Sequence, residues 1–369
     1  MLTEETRLRD FPALADMAYL NTAAESIPPV SVHEALAQYA RDKGLGMRGR
    51  VPHNETMEAC REVAARMVGL QTEEVSFCSC SSEAYNLLAN ALHLGADDEV
   101  VITDLDFPAG ATPWLNAAEP PQTRLWQARD GAALLNEHTR LVQVSLVSFY
   151  NGHRLDWSPF IETVRAHAPQ AIVAVDVTQA LGRVELDCTD FDILISSTHK
   201  WTLGVHGGCV VGIPENRENG RTLTTHAGGW YHLQNAFEAD RFERTVRKPG
   251  AASFSVGMPN YAAIYALNAA LRYLEQIGVA NITTHADPLV AQLETGLREL
   301  NLTPMAAQRD GNASGILAIR HDRADAIHAT LEAAEVHVMN HAGRLRMALH
   351  GYNTAADVEK FLSELKGAL

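Results

Sequence analysis

Short apolar runs alternate with segments of helical periodicity through most of the chain. The apolar runs are rich in β-branched and aliphatic residues, which predicts strands. They cover residues 73–80, 98–104, 140–148, 171–177, 191–198 and 207–214. Residues 82–92 and 158–168, which lie between such runs, have apolar side chains at helical spacing. Near-continuous apolar strands separated by helices are typical of a parallel or mixed sheet covered on both faces, with right-handed crossovers.

The pattern changes after Gly257. Two long segments, 260–278 and 287–300, carry leucine and isoleucine at helical spacing. A smaller alternation follows, with predicted strands at 315–321, 336–341 and 344–350, a helix at 323–335 and a last helix from Thr354. We therefore predict an α/β protein of two parts. A large mixed-sheet domain spans 15–256, and a smaller C-terminal α/β domain is formed by 257–369 together with 1–14.

Composition and charge narrow the classes of protein. The chain has 369 residues, 46% of them hydrophobic, and a formal net charge of -15. Such a charge repels phosphate backbones, so no nucleic-acid partner is expected. The N-terminal residues lack the apolar region of a signal peptide, and no apolar run approaches the roughly 20 residues that span a bilayer. We expect a cytoplasmic protein with no membrane contact.

The five cysteines are an odd set with no metal-site spacing. Cys78 and Cys80 are separated by one residue, not by the two that are common in zinc and redox pairs. We expect reduced thiols and no metal site.

One lysine lies where an apolar strand ends. Lys200 closely follows the predicted strand 191–198, and Asp176 lies at the end of the strand 171–177. Ligands of open α/β sheets bind beyond the carboxyl ends of the strands, so both side chains emerge at one edge if these strands are parallel. A buried lysine and a buried acid there indicate pyridoxal phosphate (PLP): the lysine forms a Schiff base, and the aspartate keeps the pyridine nitrogen protonated. A structural ion pair is the alternative interpretation.

Other residues meet the remaining needs of this cofactor. Ser81 and Ser82 begin a predicted helix that follows a strand, and helix N-termini supply donors to phosphate. A plain helix cap is the alternative for these serines. Ser197 and His199, which flank the lysine, are placed to reach the same phosphate.

The ring of the cofactor needs a flat partner. Phe107 follows a strand and is a candidate to stack on the ring, although a phenylalanine there is more often part of a core. Gln179, three residues after Asp176, is a candidate to bond the phenolic oxygen. The glycines of the segment after Lys200 allow backbone to pass close to the ring: Gly204, Gly207 and Gly208.

The combination of segments resembles the class V aminotransferase and cysteine desulfurase family of fold-type I PLP enzymes. The resemblance covers nearly the whole chain. It rests on "YLNTAAESIPP" (19–29), "CSSEAYNLLANAL" (80–92), "VDVTQALGRVELD" (175–187), "SSTHKW" (196–201) and "RMALHGYNTAADVEKFLSEL" (346–365).

This resemblance implies roles by position. Lys200 is expected to form the Schiff base, Asp176 to pair with the pyridinium and Gln179 to bond the ring oxygen. Arg346 is expected to clamp the α-carboxylate of a small amino-acid substrate through a bidentate pair. Phosphate ligands are expected at Ser81, Ser82, Ser197 and His199. The family also implies a homodimer with the active site at the interface.

The chain departs from the desulfurase pattern at several positions. Desulfurases carry a catalytic cysteine on a loop shortly before the carboxylate arginine, but the segment 338–346 is short and has none. Met258 stands where many relatives have a hydroxyl residue that reaches the phosphate of the neighbouring subunit. His206 replaces a usual proline or threonine, and is either an acid near the substrate or, as we favour, structural. Phe107 replaces the stacking histidine and looks more like the kynureninase-type branch.

These departures favour a lyase that cleaves a Cβ–heteroatom or Cβ–carbon bond of an α-amino acid. An aminotransferase is the next hypothesis, followed by an epimerase and a non-catalytic PLP-binding protein. Four arginines are candidates to supply a second positive charge for a diacid or sulfonate substrate, and a surface position is the alternative for each: Arg48, Arg50, Arg154 and Arg247.

Overall fold

A computed structural model describes residues 1–127, 131–215, 223–306 and 313–369. Its largest sheet has seven strands in the order β2-β8-β7-β6-β5-β3-β4. The strands of this sheet are β2 (Val75–Cys78), β3 (Glu99–Thr103), β4 (Gln122–Trp126), β5 (Thr139–Ser145), β6 (Ile172–Asp176), β7 (Ile193–Ser197) and β8 (Cys209–Gly212). Strands β3 to β7 pair in parallel, whereas β8 is antiparallel to both of its neighbours. The predicted mixed sheet is confirmed.

Both faces of this sheet are covered. Along β5 to β7, successive residues alternate between two hydrophobic clusters, because neighbouring side chains of a strand point to opposite faces. Val142, Val173 and Leu194 pack in one cluster. Leu141, Ala174 and Ile193 pack in the other. This explains why the strands read as continuous apolar runs.

The helices flank the sheet and build the smaller unit. They are α1 (Glu4–Asp10), α2 (Val30–Lys43), α3 (Arg50–Val68), α4 (Ser81–Leu92), α5 (Pro108–Leu115), α6 (Gly131–Leu134), α7 (Trp157–His167), α8 (Tyr261–Ile277), α9 (Val279–Glu299), α10 (Ala324–Ala333) and α11 (Ala355–Ala368). No helix within the described ranges is both long enough and apolar enough to cross a bilayer.

The C-terminal unit contains a three-stranded antiparallel sheet in the order β11-β12-β9. Its strands are β9 (Ile316–Arg320), β11 (Met339–His341) and β12 (Arg344–Ala348), and a separate parallel pair joins β1 (Ala18–Tyr19) to β10 (Val336–His337). Leu345 and Met347 pack in the core of this unit with α9 and α11. Arg344 and Arg346, which alternate with them along β12, therefore face the other way, toward the large sheet.

The division of the chain at residues 256 and 257 stays a prediction. Strand β1, near the N-terminus, packs with the C-terminal unit. Helix α8, after the predicted boundary, contributes Tyr261, Ile264 and Leu267 to the core of the large sheet. The two parts are thus joined by both of these elements.

Several elements differ from the predicted ones. Helices α1, α2, α3, α5 and α6 and strand β1 were not predicted, and the predicted strand 336–341 is divided into β10 and β11. Strand β4 was not predicted, since it lies at the sheet edge and its half-exposed residues show no alternation. Helix α9 begins at Val279 instead of 287, and it continues through Pro288. The buried face of α9 runs from Ile282 to Leu297 on both sides of this proline, so its packing offsets the hydrogen bond that proline cannot make.

Candidate active site

A cavity opens at the carboxyl edge of the parallel strands. Asp176 is the last residue of β6, and Lys200 comes three residues after the end of β7. The two strands are parallel neighbours, with Asp176 opposite Ile195. Both side chains therefore reach the same edge, as the strand positions predicted. The cavity is lined by Cys80, Ser81, Phe107, Ser145, Val147, Phe149, Asp176, Thr178, Gln179, Ser197, His199 and Lys200.

Asp176 is held by two hydrogen bonds in a buried position. Its Oδ1 accepts from the backbone N–H of Thr178 at 2.8 Å, and its Oδ2 accepts from the Tyr85 hydroxyl at 2.9 Å. Burial of Tyr85, with the neighbouring carboxylate as a second cause, raises the pKa of this phenol well above its usual value, so it stays a donor. The carboxylate is thus oriented by groups that do not neutralise its charge.

Lys200 lies against an aromatic ring, and its ammonium is partly desolvated. Its Nζ is 5.2 Å from the centre of the Phe107 ring. Burial lowers the pKa of Lys200 to about 8, although Asp176 opposes this shift, and Arg346 lowers the value further. The neutral amine, which a nucleophilic lysine requires, is therefore far more abundant near neutral pH than for an ordinary lysine.

We expect acetic anhydride labelling of the cofactor-free protein to show this depressed pKa. Only the neutral amine reacts. Labelling of Lys200 should therefore rise about tenfold per pH unit at lower pH and level off near pH 8, whereas an ordinary lysine levels off near about 10.4. Mass spectrometry of the peptides gives both rates, with the exposed Lys366 as the reference. A Lys200 rate that still climbs above pH 10 contradicts the desolvated site.

The other end of the cavity offers donors for an anion. Helix α4 begins here, its N-cap Cys80 makes no side-chain capping bond, and its first-turn N–H groups have no partner within the helix. The Ser197 hydroxyl donates to the Ser81 hydroxyl at 3.1 Å. Ser82 is exposed and does not line the cavity. The site therefore combines two serine hydroxyls with a helix N-terminus, an arrangement that suits a phosphate.

Gln179 is already held at both ends of its amide. Its Oε1 accepts from the Trp201 indole N–H at 2.6 Å, and its Nε2 donates to the Ala23 carbonyl at 3.0 Å. Its oxygen is thus committed to Trp201, and one N–H of Nε2 remains for a ligand in the cavity. This is compatible with the predicted bond to a ring oxygen.

His206 lies outside the cavity. Its ring stacks on that of His199, with centres 4.7 Å apart, and its Nε2 is 3.0 Å from a Glu25 carboxylate oxygen. The side chain of His206 is 71% exposed. Burial, with Lys200 and His206 as further causes, lowers the pKa of His199 to about 4, so His199 is neutral near pH 7. A substrate role of His206 has no contact to support it.

The glycines after Lys200 shape the loop rather than the cavity. A Cβ on Gly204 would lie 2.6 Å from the Thr198 carbonyl oxygen, and one on Gly208 would lie 2.6 Å from the Thr198 hydroxyl. Gly207 has a φ of +82°. These glycines let residues 198–208 fold back on themselves. The expectation that they admit backbone next to a bound ring stays a prediction.

Arg346 reaches the large domain from strand β12. It is 3% exposed, and its Nη1 donates to the Phe149 carbonyl at 2.6 Å. Burial, and after it the neighbouring Arg344, lowers the pKa of Arg346 to about 10, which still leaves it charged at neutral pH. Its effect on the pKa of Lys200 places it within electrostatic reach of the cavity.

Three features of the site were not anticipated from the sequence. Cys80, at the start of α4, is exposed and lines the same cavity as Lys200. Tyr85 lies in a segment that was predicted only to be helical, yet its hydroxyl donates to Asp176. Arg344 lies next to Arg346 on the same face of β12. For Tyr85, its position one helical turn after Ser81 was a signal in the sequence. No sequence pattern marks Cys80 or Arg344.

The cavity residues fit PLP. A buried carboxylate, a desolvated amine, a half-exposed aromatic ring and an anion-binding helix end lie around one space. Asp176 would hold the ring nitrogen, and Lys200 would hold the aldehyde carbon. Phe107 would cover the ring face, and Ser81 with Ser197 would hold the phosphate.

Comparisons with known proteins agree with this arrangement. The model of the family "Aminotransferase class-V" matches residues 18–361. A cysteine desulfurase of Cronobacter sakazakii is 30% identical over 80% of this chain and 77% of its own. The uncharacterized aminotransferase YcbU of Bacillus subtilis is 26% identical over 96% of this chain and 95% of its own.

A solved structure has the same fold. The cystine C–S lyase C-DES, in complex with its product cysteine persulfide, superposes with a TM-score of 0.85. The match covers 96% of this chain and 99% of that chain at 20% identity.

Proposed function

We propose that this chain, which belongs to the aminotransferase class-V family and is a PLP-dependent enzyme, is a lyase that cleaves a bond to Cβ of a small α-amino acid. The net reaction takes up one water. When the group on Cβ leaves with the bonding electrons, the reaction releases a 2-oxo acid, ammonia and the protonated leaving group, with no net oxidation. When Cβ keeps those electrons, as in hydrolytic cleavage of a Cβ–carbon bond, alanine is released instead of the 2-oxo acid and ammonia. No oxidant and no second amino acid are needed.

The tight β11–β12 hairpin is the observation that carries this proposal. His341 pairs with Arg344, so only Ala342 and Gly343 connect the strands. Both have positive φ, 52° and 72°, as in a type I′ turn. In the desulfurases that this chain resembles, a loop with the catalytic cysteine precedes the carboxylate arginine. This hairpin leaves no room for such a loop, which favours direct elimination over a persulfide relay.

The residues of the cavity have separate tasks in this reaction. When bound, PLP accepts the electrons of the bond broken at the substrate Cα. Asp176 holds a negative charge against the ring nitrogen in a buried, preorganised position. Arg346 binds the α-carboxylate and thereby orients Cα. Lys200, with its lowered pKa, would take the proton from the substrate Cα near neutral pH and give it to the leaving group.

An aminotransferase is the second candidate. The match with YcbU over nearly the full length of both chains favours it. Its reaction differs in one requirement: the amino group stays on the enzyme until a 2-oxo acid accepts it.

A panel of amino acids separates the candidates. The holoenzyme is incubated with each amino acid, with and without an added 2-oxo acid, and ammonia and new 2-oxo acid are measured. We expect the two products in equal amounts without an acceptor. Turnover that depends on the acceptor means an aminotransferase. An unchanged visible spectrum with every amino acid means a non-catalytic PLP-binding protein.

The cysteines give a sharper test of the elimination mechanism. If no thiol takes part in the chemistry, Cys80→Ser should retain turnover within about twofold, although its side chain lines the cavity. Cys188→Ser, outside that lining, is the matched control. A variant with all five cysteines replaced should also retain turnover where it folds. Cys60, Cys78 and Cys209 are buried, so some loss of stability is expected there.

A different result restores the desulfurase interpretation. It would be a Cys80 variant that has lost turnover while its visible cofactor band and fold are unchanged. The thiol would then reach the substrate from the start of α4 rather than from the segment before Arg346.

We also propose a homodimer. Several large apolar side chains are exposed, among them Phe237 at 84%, Phe242 at 89% and Met47 at 77%. Exposed apolar groups of this size mark interaction surfaces. Analytical ultracentrifugation should give twice the monomer mass, and a monomer at micromolar concentration contradicts the proposal.

A further inference from the structure

Three arginines share one face of the small antiparallel sheet. Leu345 and Met347 of β12 point into the core of the C-terminal unit, so Arg344 and Arg346 point to the opposite face. Arg320 of β9 is paired directly with Arg344 and lies on that same face. This face is turned toward the large domain, where Arg346 donates to the Phe149 carbonyl.

The guanidinium groups gather around two aromatic residues that follow β5. Arg344 Cζ lies 4.0 Å from the centre of the Tyr150 ring and 5.9 Å from that of Phe149. Arg320 Cζ is 5.9 Å from the Tyr150 ring centre, and Arg320 donates to the Tyr150 hydroxyl. The aromatic faces and this bond position the two arginines without cancelling their charge.

No anion balances these cations. Arg344 and Arg346 are each 3% exposed, yet the Nε–H of each lacks a hydrogen-bond partner. Throughout the part of the chain that the structure describes, no carboxylate forms an ion pair with Arg320, Arg344 or Arg346. A buried charge without a partner is costly, so such groups are normally paired. Burial lowers the pKa of Arg344, which Tyr150 opposes and repulsion from Arg320 increases, and burial with repulsion from Arg344 lowers the pKa of Arg346.

The chain pairs its other buried arginines internally. Arg183, which is fully buried, lies 2.7 Å from Asp287 and donates to the Leu349 carbonyl at 2.9 Å. Arg7 pairs with the buried Asp357 at 3.4 Å. The missing counter-ion at Arg344 and Arg346 therefore points to an anion that comes from outside the chain.

Phe149 connects this cluster with the cavity. Its ring contacts that of Phe107 edge to face, with centres 4.9 Å apart, and it lines the space around Lys200. Arg344 lies near the ring of the same residue, and Arg346 donates to its carbonyl. A ligand held at Arg346 thus has Arg344 as its next neighbour along β12.

We propose that Arg344 binds a second anionic group of the substrate, beside the α-carboxylate held by Arg346. Arg320 and Tyr150 are positioning residues for Arg344. The substrate class is then an α-amino acid whose side chain carries a carboxylate or a sulfonate, which the planar fork of arginine recognises. This inference rests on the assignment of Arg346 to the α-carboxylate in the proposed function.

Binding of simple carboxylates to the holoenzyme tests the site without catalysis. Succinate has two carboxylates, and butyrate is its match in length with only one. By calorimetry, we expect succinate to bind at least about tenfold more tightly than butyrate. Arg344→Gln should abolish this preference and leave the affinity for butyrate unchanged. Arg298→Gln, on the exposed face of α9, is the control and should behave like the parent.

Two further variants keep the test decisive if Arg344→Gln does not fold. Arg344→Lys keeps the charge without the fork and should retain a reduced preference. Arg320→Gln changes an exposed residue. It should weaken the preference for succinate by about threefold, because the Tyr150 hydroxyl loses its hydrogen bond from Arg320. The proposal is overturned if the parent binds both acids equally, or if the preference survives in Arg344→Gln.

The result of this binding test can be distinguished from the result of the test for lyase activity. A preference for succinate in an enzyme that releases no ammonia from any amino acid overturns the lyase and leaves the anion site in place. Turnover of neutral amino acids, with equal binding of succinate and butyrate, overturns the anion site and leaves the lyase in place.

Discussion

Replacing Lys200 with alanine should abolish the covalent attachment of PLP and reduce turnover by about 10³-fold or more. The same amine anchors the cofactor and moves the proton at the substrate Cα, so both functions are lost together. The change removes a desolvated ammonium group, so it should not weaken folding. Absorbance in the visible range and turnover are measured on the purified protein.

Two variants control for this result. Lys200→Arg retains a cation but not a nucleophile, and should lose the visible band as well. Lys366→Ala, on the exposed face of α11, should keep both band and turnover. A Lys200→Ala protein that still carries a borohydride-reducible link to PLP contradicts the assignment, and one of the other four lysines is then the anchor: Lys43, Lys248, Lys360 or Lys366.

Asp176→Asn should bind PLP but lose about 10²–10³-fold in turnover. Asparagine has the same shape: its Oδ1 can still accept from the Thr178 N–H, and its Nδ2 can donate to the Tyr85 hydroxyl, which reverses the direction of that bond. It cannot stabilise a proton on the ring nitrogen, so the loss belongs to the step in which electrons move into the ring. The visible spectrum reports binding, and steady-state rates report turnover.

Asp106→Asn is the matched control for the loss of a nearby buried acid. Burial raises the pKa of Asp106 to about 7, so this carboxyl is already partly neutral. We expect a small effect on turnover from this change. Activity of Asp176→Asn within a few-fold of the parent contradicts the role of Asp176.

The sequence predicted the residues whose position follows from the strands. Apolar runs as long as β6 and β7 can be recognised from the sequence alone. Asp176 ends one of two neighbouring parallel strands, and Lys200 closely follows the other. The rule that ligands bind at the carboxyl edge then brought them together. Phe107 and Ser81 were proposed in the same way, because each follows a predicted strand, and the structure places both in the lining of the cavity.

The residues that were missed depend on tertiary contacts. Arg344 was not singled out from the sequence, because its burial follows from docking of β12 against Phe149 and Tyr150. That one of the four arginines considered from sequence meets the substrate stays a prediction, and none of them lines the cavity around Lys200. Arg48 and Arg50 are exposed, and Arg154 bonds the Glu185 carbonyl. Helix periodicity placed Tyr85 on a buried face but gave no sign that its hydroxyl meets Asp176.

Borohydride reduction of the native holoenzyme, followed by mass mapping of its peptides, tests the central assignment most directly. The measurement needs no variant, so misfolding cannot imitate either answer. We predict that the mass of reduced PLP appears on the peptide that contains Lys200 and on no other lysine peptide. The cofactor mass on the peptide of Lys43, Lys248, Lys360 or Lys366, or no added mass on any peptide of a yellow protein, would contradict the account.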